Sequence, residues 1–148
     1  MSEPDVVLLS VRSPHVEHLL DGSKTIELRR RPLRLAPGTV VLLYAAGERK
    51  ALVGSVVAGE VDEGTPHALW RRHRSKAGVS YAEFKAYFAG VTVGYALSVQ
   101  SARALERPIP LAELRSRWSP FLAPQTHRRI ESVELRSVLN GERSQLLS

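Results

Sequence analysis

The chain has 148 residues with 43% apolar side chains, which suits one globular domain over residues 1–148 and excludes a disordered chain. It contains no cysteine, which excludes disulfides, thiolate nucleophiles and cysteine zinc sites. A helix that crosses a bilayer needs about 20 apolar residues, and no apolar run approaches that length. The formal net charge of +6 favours polyanionic partners. Because no apolar run is long enough to cross a bilayer, we expect a soluble, cytoplasmic protein without a membrane partner.

The first elements are a strand and a short helix. Residues 6–11 are almost wholly apolar and predict a buried strand. Ser13-Pro14 is typical of a helix start, and Val16 and Leu19 recur at helical spacing behind it. Gly22 adopts the left-handed conformation easily, so we expect the helix to end there.

The segment after this helix changes from a helical to an alternating pattern, which predicts a strand. Ile26 and Leu28 fall on its core face. Thr25, Glu27 and Arg29 fall together on the opposite face.

The middle of the chain predicts two further strands and two helices. Residues 39–46 and 51–61 are the strands, joined by a polar hairpin. Thr65-Pro66 starts a helix that carries a basic run, and Ser80 with Glu83 has the spacing of a capping box for the next helix.

The last part predicts a strand followed by helices. Residues 91–100 alternate in polarity and indicate a half-buried strand. Residues 108–118 and about 124–140 have helical spacing, and Asn140-Gly141 is typical of a helix end. This interpretation places Arg128 in the first turn of a helix and leaves a loosely packed tail from about residue 142.

This order predicts an α+β fold, a small mixed β-barrel surrounded by helices. A doubly wound fold needs helices between most strands, and the middle strands here have none between them.

The chemistry concentrates in residues 22–31. Lys24 lies between the end of the helix and the start of the strand. Glu27 and Arg29 share one face of that strand, close to Lys24. Cations of this kind hold phosphates, and a carboxylate accepts hydrogen bonds from a base amino or imino group. A Glu27–Arg29 pair on a solvated strand face remains the alternative.

The same segment resembles the ASCH family, part of the PUA-like superfamily. The matching residues are Ser10-Val-Arg12 at a strand end and the pattern Gly-x-Lys-Thr-x-Glu-x-Arg over residues 22–29. Residues 124–128 are similar to a Pro-Gln-Ser-x-Arg element of some members. The resemblance implies a five- or six-stranded PUA-like barrel in which Lys24, Glu27 and Arg29 line a cleft, and it implies binding of RNA or of a modified base.

Two activities of the family are tested against these residues. Some members look like amidohydrolases of acylated cytidine that use a threonine two positions before the motif arginine, where this chain has Glu27. That activity is not expected here. Other members look like metal-independent ribonucleases for single-stranded RNA, and Lys24, with Ser10 and Tyr44, is the candidate catalytic set for that alternative.

The leading hypothesis is therefore a binding protein for RNA, DNA or a nucleotide-like ligand, with no cofactor and no catalytic residue. A ribonuclease is the alternative, and a basic face that meets an acidic protein partner is the second alternative. The candidate binding residues are Lys24, Glu27, Arg29, Arg30, Arg12, Tyr44 and Arg128.

Two remaining features carry open alternatives. Seventeen of the 21 basic residues are arginine, a side chain suited to phosphates and base edges, but a GC-rich genome explains the same excess. His15 and His18 share one helix and suggest a metal site, yet no third ligand is evident, so we expect no metal.

Overall fold

The computed structural model describes residues 5–147, and within them the chain forms six strands and six helices. The strands are β1 (Val6–Arg12), β2 (Ile26–Arg29), β3 (Val40–Ala46), β4 (Ala51–Gly64), β5 (Gly94–Pro110) and β6 (His127–Ile130). The helices are α1 (His15–Asp21), α2 (Pro66–His73), α3 (Tyr81–Tyr87), α4 (Leu111–Arg117), α5 (Ser132–Val138) and α6 (Arg143–Leu147). The predicted α+β class is confirmed.

All six strands belong to one sheet, in the order β2-β5-β4-β3-β1-β6, which curls into a half-barrel. β1 and β3 are parallel, and every other pair is antiparallel. A parallel pair needs a crossover connection, and α1, β2 and the loop after them provide it. β2 and β6 are the edge strands, so the curled sheet leaves an opening between them.

The helix α1, which follows β1, folds as its sequence predicts. α1 follows Pro14 and ends at Gly22, whose φ of 82° lies in the left-handed region. Val16 and Leu19 are buried against the sheet. This short, rigid connection fixes the position of the residues between α1 and β2.

Alternation along β2 sends its side chains to two different environments. Ile26 and Leu28 pack with Phe84 and Phe88 beneath α2 and α3. Glu27, between them, points to the other side, as the alternating pattern predicts. Glu27 therefore faces the interior of the half-barrel and is only 6% exposed.

The predicted final helix is wrong in its first half. Arg128 and Arg129 lie in β6, which pairs antiparallel with β1 and places Arg128 opposite Leu8. The hydrogen-bonding groups on this side of β1 would otherwise lack partners, and β6 provides them. The helix α5 begins only at Ser132. Arg128 therefore does not lie at a helix start.

The boundaries of β5 also differ from the prediction. The strand begins at Gly94 rather than at residue 91, and it continues to Pro110 because the long strand β4 remains its partner. The following helix therefore begins at Leu111 instead of residue 108. No helix within residues 5–147 is long and apolar enough to span a membrane.

The end of the described chain is packed rather than loose. α6 covers residues 143–147, and its Leu146 is 2% exposed. The Ser55 hydroxyl, buried in β4, donates a hydrogen bond of 2.9 Å to the Leu146 carbonyl oxygen.

Candidate functional site

A cleft of about 550 Å³ opens where the curled sheet brings β2 towards the end of β1. Its other wall is α3, and the segment before β6 closes one side. The lining residues that matter for its chemistry are Ser10, Arg12, His15, Lys24, Glu27, Arg29, Glu83, Tyr87, Ala123 and Gln125.

A buried ion cluster lies in this cleft. Glu27 Oε1 is 3.4 Å from Lys24 Nζ, and Glu27 Oε2 is 2.9 Å from Arg29 Nη2. Burial of a carboxylate is costly unless cations or donors accompany it, and here two cations do. The structure thus brings together the three side chains that the sequence motif singles out, in an interior position instead of on a solvated strand face.

Lys24 is held in an unusual position for a lysine, with only 2% of it exposed. A Cβ added at Gly78, whose φ of 65° is left-handed, would lie 3.4 Å from the aliphatic stem of Lys24. Lys24 Nζ also lies 3.4 Å from His15 Nδ1. Burial, and then the neighbouring Lys24 charge, lower the pKa of His15, so its imidazole is neutral at neutral pH.

Arg29 connects two strands that are not neighbours in the sheet. Its Nη2 donates a hydrogen bond of 2.7 Å to the carbonyl oxygen of Ser10, at the end of β1. Within residues 5–147, the buried Arg29 Nε and the buried Ser10 Oγ have no hydrogen-bond partner. Such groups normally find partners, so both lining residues carry a polar atom with unused hydrogen-bonding capacity.

The α3 wall carries its own polar groups. Ser80 and Glu83 form the predicted capping box, and the hydrogen bonds from the Ser80 backbone and hydroxyl lower the pKa of Glu83, which keeps it ionised. The Tyr87 hydroxyl donates to the Leu28 carbonyl oxygen at 3.2 Å, and burial raises the pKa of Tyr87. The capping box therefore stabilises the start of α3, and the Tyr87 hydrogen bond attaches its end to β2.

The remaining predicted site residues divide into two groups. Arg12 is exposed at the rim and lines the cleft. Arg30 is exposed beside it and lines a smaller pocket that shares Arg29 with the cleft. Both positions suit contact with a ligand that extends out of the cleft.

Tyr44 and Arg128 lie elsewhere. Tyr44 lies opposite Ser10 in the β1–β3 register, but it is 3% exposed and its ring packs 5.5 Å from that of Phe121 in the apolar core. Arg128 is paired with Glu134 at 3.2 Å and lies over the Trp118 ring at 4.7 Å. The structure does not bring either residue into the lining of the cleft.

Two histidines at the site were not identified as ligand contacts from the sequence. His15 was considered only as a metal ligand, and its contact with Lys24 depends on how α1 rotates against the sheet. His127 lies in the unpredicted strand β6, where burial and then Arg29 lower its pKa. Its Nδ1 is buried without a partner within residues 5–147. The Pro-Gln-Thr-His stretch was the one local signal for it.

Metal binding receives no support from the arrangement of ligands. Among residues 5–147, no group of three or more histidine, cysteine, aspartate or glutamate side chains is close enough to hold an ion. His15 has Lys24 as its neighbour, and a lysine ammonium has no lone pair to offer a metal.

The comparisons with known proteins agree with this architecture. The family model of the ASCH domain matches residues 9–121. A curated relative, the ASCH domain-containing ribonuclease of Zymomonas mobilis subsp. mobilis, is 26% identical over 119 residues, which cover 80% of each chain.

Solved structures share the fold. The crystal structure of ASCH from Zymomonas mobilis has a TM-score of 0.84 at 24% identity and covers 89% of this chain and 92% of that one. Human THYN1, solved in complex with 5-methylcytosine containing DNA, has a TM-score of 0.54 at 14% identity and covers 88% and 93%. The predicted PUA-like fold is thereby confirmed.

Proposed function

This chain belongs to the ASCH domain family. On that premise we propose that it binds single-stranded nucleic acid, with higher affinity for RNA than for DNA, and that one nucleotide occupies the cleft. The ribonuclease among its relatives acts on RNA, which supports RNA as the ligand class.

The observation that carries this proposal is the buried Glu27 carboxylate with unused hydrogen-bonding groups beside it. A carboxylate has about four acceptor positions, and Lys24 and Arg29 use two of those on Glu27. The remaining positions accept from the amino or imino edge of a base. The Ser10 hydroxyl, which has no partner within residues 5–147, lies in the same cleft and either donates or accepts.

The size of the cleft is consistent with one nucleotide. Small-molecule sites have volumes of about 300–1,000 Å³, and this cleft has about 550 Å³. Phe84 and Tyr87 on the α3 wall supply aromatic surface near the carboxylate. A duplex does not enter a cleft of this size, because a base must leave its stack to reach Glu27.

The charge of the whole protein supplies affinity for the rest of the strand. The formal net charge is +6, and Arg12 and Arg30 are exposed next to the cleft. Cations that contact phosphates release condensed counterions, so binding weakens as salt is raised.

Fluorescence anisotropy with labelled oligonucleotides tests the proposal. We expect micromolar binding of single-stranded RNA at about 50 mM salt, weaker binding of single-stranded DNA, and little binding of duplex RNA. If micromolar protein binds none of these oligonucleotides at this salt, the proposal is contradicted.

A matched pair of variants separates the cleft from general charge. Arg12→Gln removes a cation at the rim, and Arg107→Gln removes an exposed cation that lines no pocket described here. We expect the first to weaken RNA binding by about three- to tenfold and the second by less than about twofold. Equal losses would assign the binding to net charge alone.

A ribonuclease activity is the second candidate, and one observation favours it beyond the name of the relative. Neutral His15 lies 3.4 Å from the Lys24 ammonium. Cleavage of RNA through its own 2′-hydroxyl needs a base that takes the hydroxyl proton and a cation that stabilises the phosphorane. His15 takes the 2′-hydroxyl proton and Lys24 supplies the cation, the bond from the 2′-oxygen to phosphorus forms as the bond to the 5′-oxygen breaks, and the 5′-oxygen leaves with a proton from water.

Incubation of single-stranded RNA with the protein and excess EDTA tests this candidate. We expect products that end in a 2′,3′-cyclic phosphate and no cleavage of the same DNA sequence, which lacks the attacking hydroxyl. His15→Gln should slow cleavage by about 10²- to 10⁴-fold, while the exposed His67→Gln should not. Intact RNA would leave binding as the only activity, and equal rates for both variants would contradict the role of His15 as the base.

A further inference from the structure

A second, smaller pocket adjoins the cleft, and we call it the arginine pocket. Its volume is about 150 Å³, against about 550 Å³ for the cleft. Arg29, Tyr87 and Gln125 line both, so the two spaces lie side by side. The other residues of the arginine pocket are Leu9, Arg30, Arg31, Pro32, Leu33, Thr126 and His127.

The charge of this pocket is one-sided. Three guanidinium groups line it, and no aspartate or glutamate does. Within residues 5–147, neither Arg30 nor Arg31 forms an ion pair, and the Arg30 guanidinium donates a long hydrogen bond of 3.5 Å to the Ala89 carbonyl oxygen. Glu27 compensates the charge of Arg29 from the cleft side, whereas Arg30 and Arg31 have no carboxylate partner, so an anion in the pocket would lower their mutual repulsion.

Unused donors accompany the charge. Arg29 commits its Nη2 to Glu27 and to the Ser10 carbonyl oxygen, whereas its buried Nε has no partner in the described chain. His127 Nδ1 is likewise buried and unpartnered within residues 5–147. A phosphate oxygen accepts from a guanidinium edge and from an imidazole N–H in this kind of setting.

We infer that the arginine pocket is a phosphate site, in which Arg29, Arg30, Arg31 and His127 hold the phosphate attached to the nucleoside in the cleft. The adjacency of the two spaces at Arg29 carries this inference, because a nucleoside in the cleft would place its phosphate next to the arginine pocket. The inference rests on the proposed function for the identity of the nucleoside, but the phosphate site itself has an independent test.

That first test uses inorganic phosphate and the ring ¹⁵N signals of His127. Potassium phosphate is titrated against potassium chloride at constant ionic strength. We expect a saturable shift of the His127 signals and a rise in the pKa of His127, because a bound anion favours the imidazolium. Exposed His67 on α2 is the internal control and should not respond. Absence of a saturable response at His127 overturns the phosphate site.

The second test measures the contribution of the phosphate to ligand affinity. Calorimetry compares a ribonucleoside with its 3′- and 5′-monophosphates, and we expect one monophosphate to bind about tenfold more tightly. The double variant Arg30→Gln/Arg31→Gln should remove most of that ratio. The double variant Arg107→Gln/Arg136→Gln removes the same charge from exposed positions outside both spaces and should keep it.

The two tests separate the possible failures. If His127 responds to phosphate but no nucleotide or oligonucleotide binds, the phosphate site stands and the proposed function is wrong. If oligonucleotides bind, and both double variants lose affinity equally, the proposed function stands and the phosphate site is wrong.

Discussion

Arg29 Nη2 lies 2.9 Å from Glu27 Oε2 and, at the same time, 2.7 Å from the carbonyl oxygen of Ser10. One guanidinium thus connects the edge strand β2 to β1, although three strands lie between them in the sheet. The side chain that neutralises the buried carboxylate therefore also closes the half-barrel next to the cleft. The Glu27–Arg29 pair therefore has a structural role and a proposed binding role. Protein stability and RNA affinity measure the two roles separately.

Removal of the Glu27 charge should destabilise the fold. In Glu27→Gln, Lys24 and Arg29 lose their carboxylate while their side chains are only 3% and 15% exposed. Breaking a buried ion pair of this kind costs about 3–5 kcal/mol, which urea denaturation measures as a lower free energy of unfolding.

Glu17→Gln is the control for this prediction. Glu17 is paired with Arg49 at 3.3 Å, with both side chains about 40% exposed. An exposed pair contributes about 0–1 kcal/mol, so this variant should unfold almost as the wild type does. Equal losses for the two variants would contradict a special role of the buried cluster.

Loss of the Ser10 hydroxyl should affect binding and not stability. Its Oγ has no partner within residues 5–147, so Ser10→Ala removes no hydrogen bond of the free protein. We expect a change in the free energy of unfolding below about 1 kcal/mol and a loss of RNA affinity of about three- to tenfold. A less stable protein with unchanged affinity would show that the hydroxyl has a structural partner instead.

Acidification should destabilise the protein through His15 and His127. The pKa values of His15 and His127 are lowered from 6.5 by burial, so below pH 6.5 the unfolded chain binds more protons than the folded one. Their contribution to stability is complete above pH 6.5 and is lost as the pH falls through the folded-state values. The neighbouring charges are Lys24, Glu27 and Glu83 around His15, and Arg29 beside His127.

Urea denaturation from pH 7.5 to pH 5 checks this dependence. In His15→Gln and in His127→Gln, the free energy of unfolding should fall less steeply with decreasing pH than in the wild type. The exposed His67→Gln should keep the wild-type slope. Parallel slopes for all of these proteins would contradict neutral, buried histidines.

A close backbone contact in β4 predicts a large effect of one glycine. A Cβ on Gly54 would lie 2.6 Å from Leu20 Cδ2 and would collide with the Arg103 carbonyl oxygen. Gly54→Ala should lower the free energy of unfolding by about 1–3 kcal/mol or more, because backbone atoms must shift. Gly141→Ala is the control, since nothing lies within 4 Å of its added Cβ. Equal melting temperatures would contradict the contact.

The sequence predicted well where the signal was local. Gly22 ends a helix by its conformation, and the alternation of Ile26 and Leu28 with Glu27 and Arg29 follows from strand geometry. These two features were enough to predict that Glu27 and Arg29 would share a face. The local pattern therefore predicts which side chains form the ion cluster of the cleft.

The failures arose where distant segments decide the structure. β6 has four residues, and its pairing with β1 overrides the helical spacing of residues 124–140. The approach of His15 to Lys24 depends on the packing of α1, and local spacing carries no information about it. Arg128 was predicted from the Pro-Gln-Ser-x-Arg resemblance and from its place at a helix start, and its pairing with Glu134 follows from the unpredicted strand instead.

The most direct test of the central claim is to fill the cleft without altering its charges. Ala123 lines the cleft and is exposed, whereas Ala112 is exposed on α4, outside it. Anisotropy of labelled single-stranded RNA should show a loss of affinity of about tenfold or more for Ala123→Trp and less than about twofold for Ala112→Trp. Wild-type affinity in a correctly folded Ala123→Trp protein would contradict the account, because RNA would then bind outside the cleft.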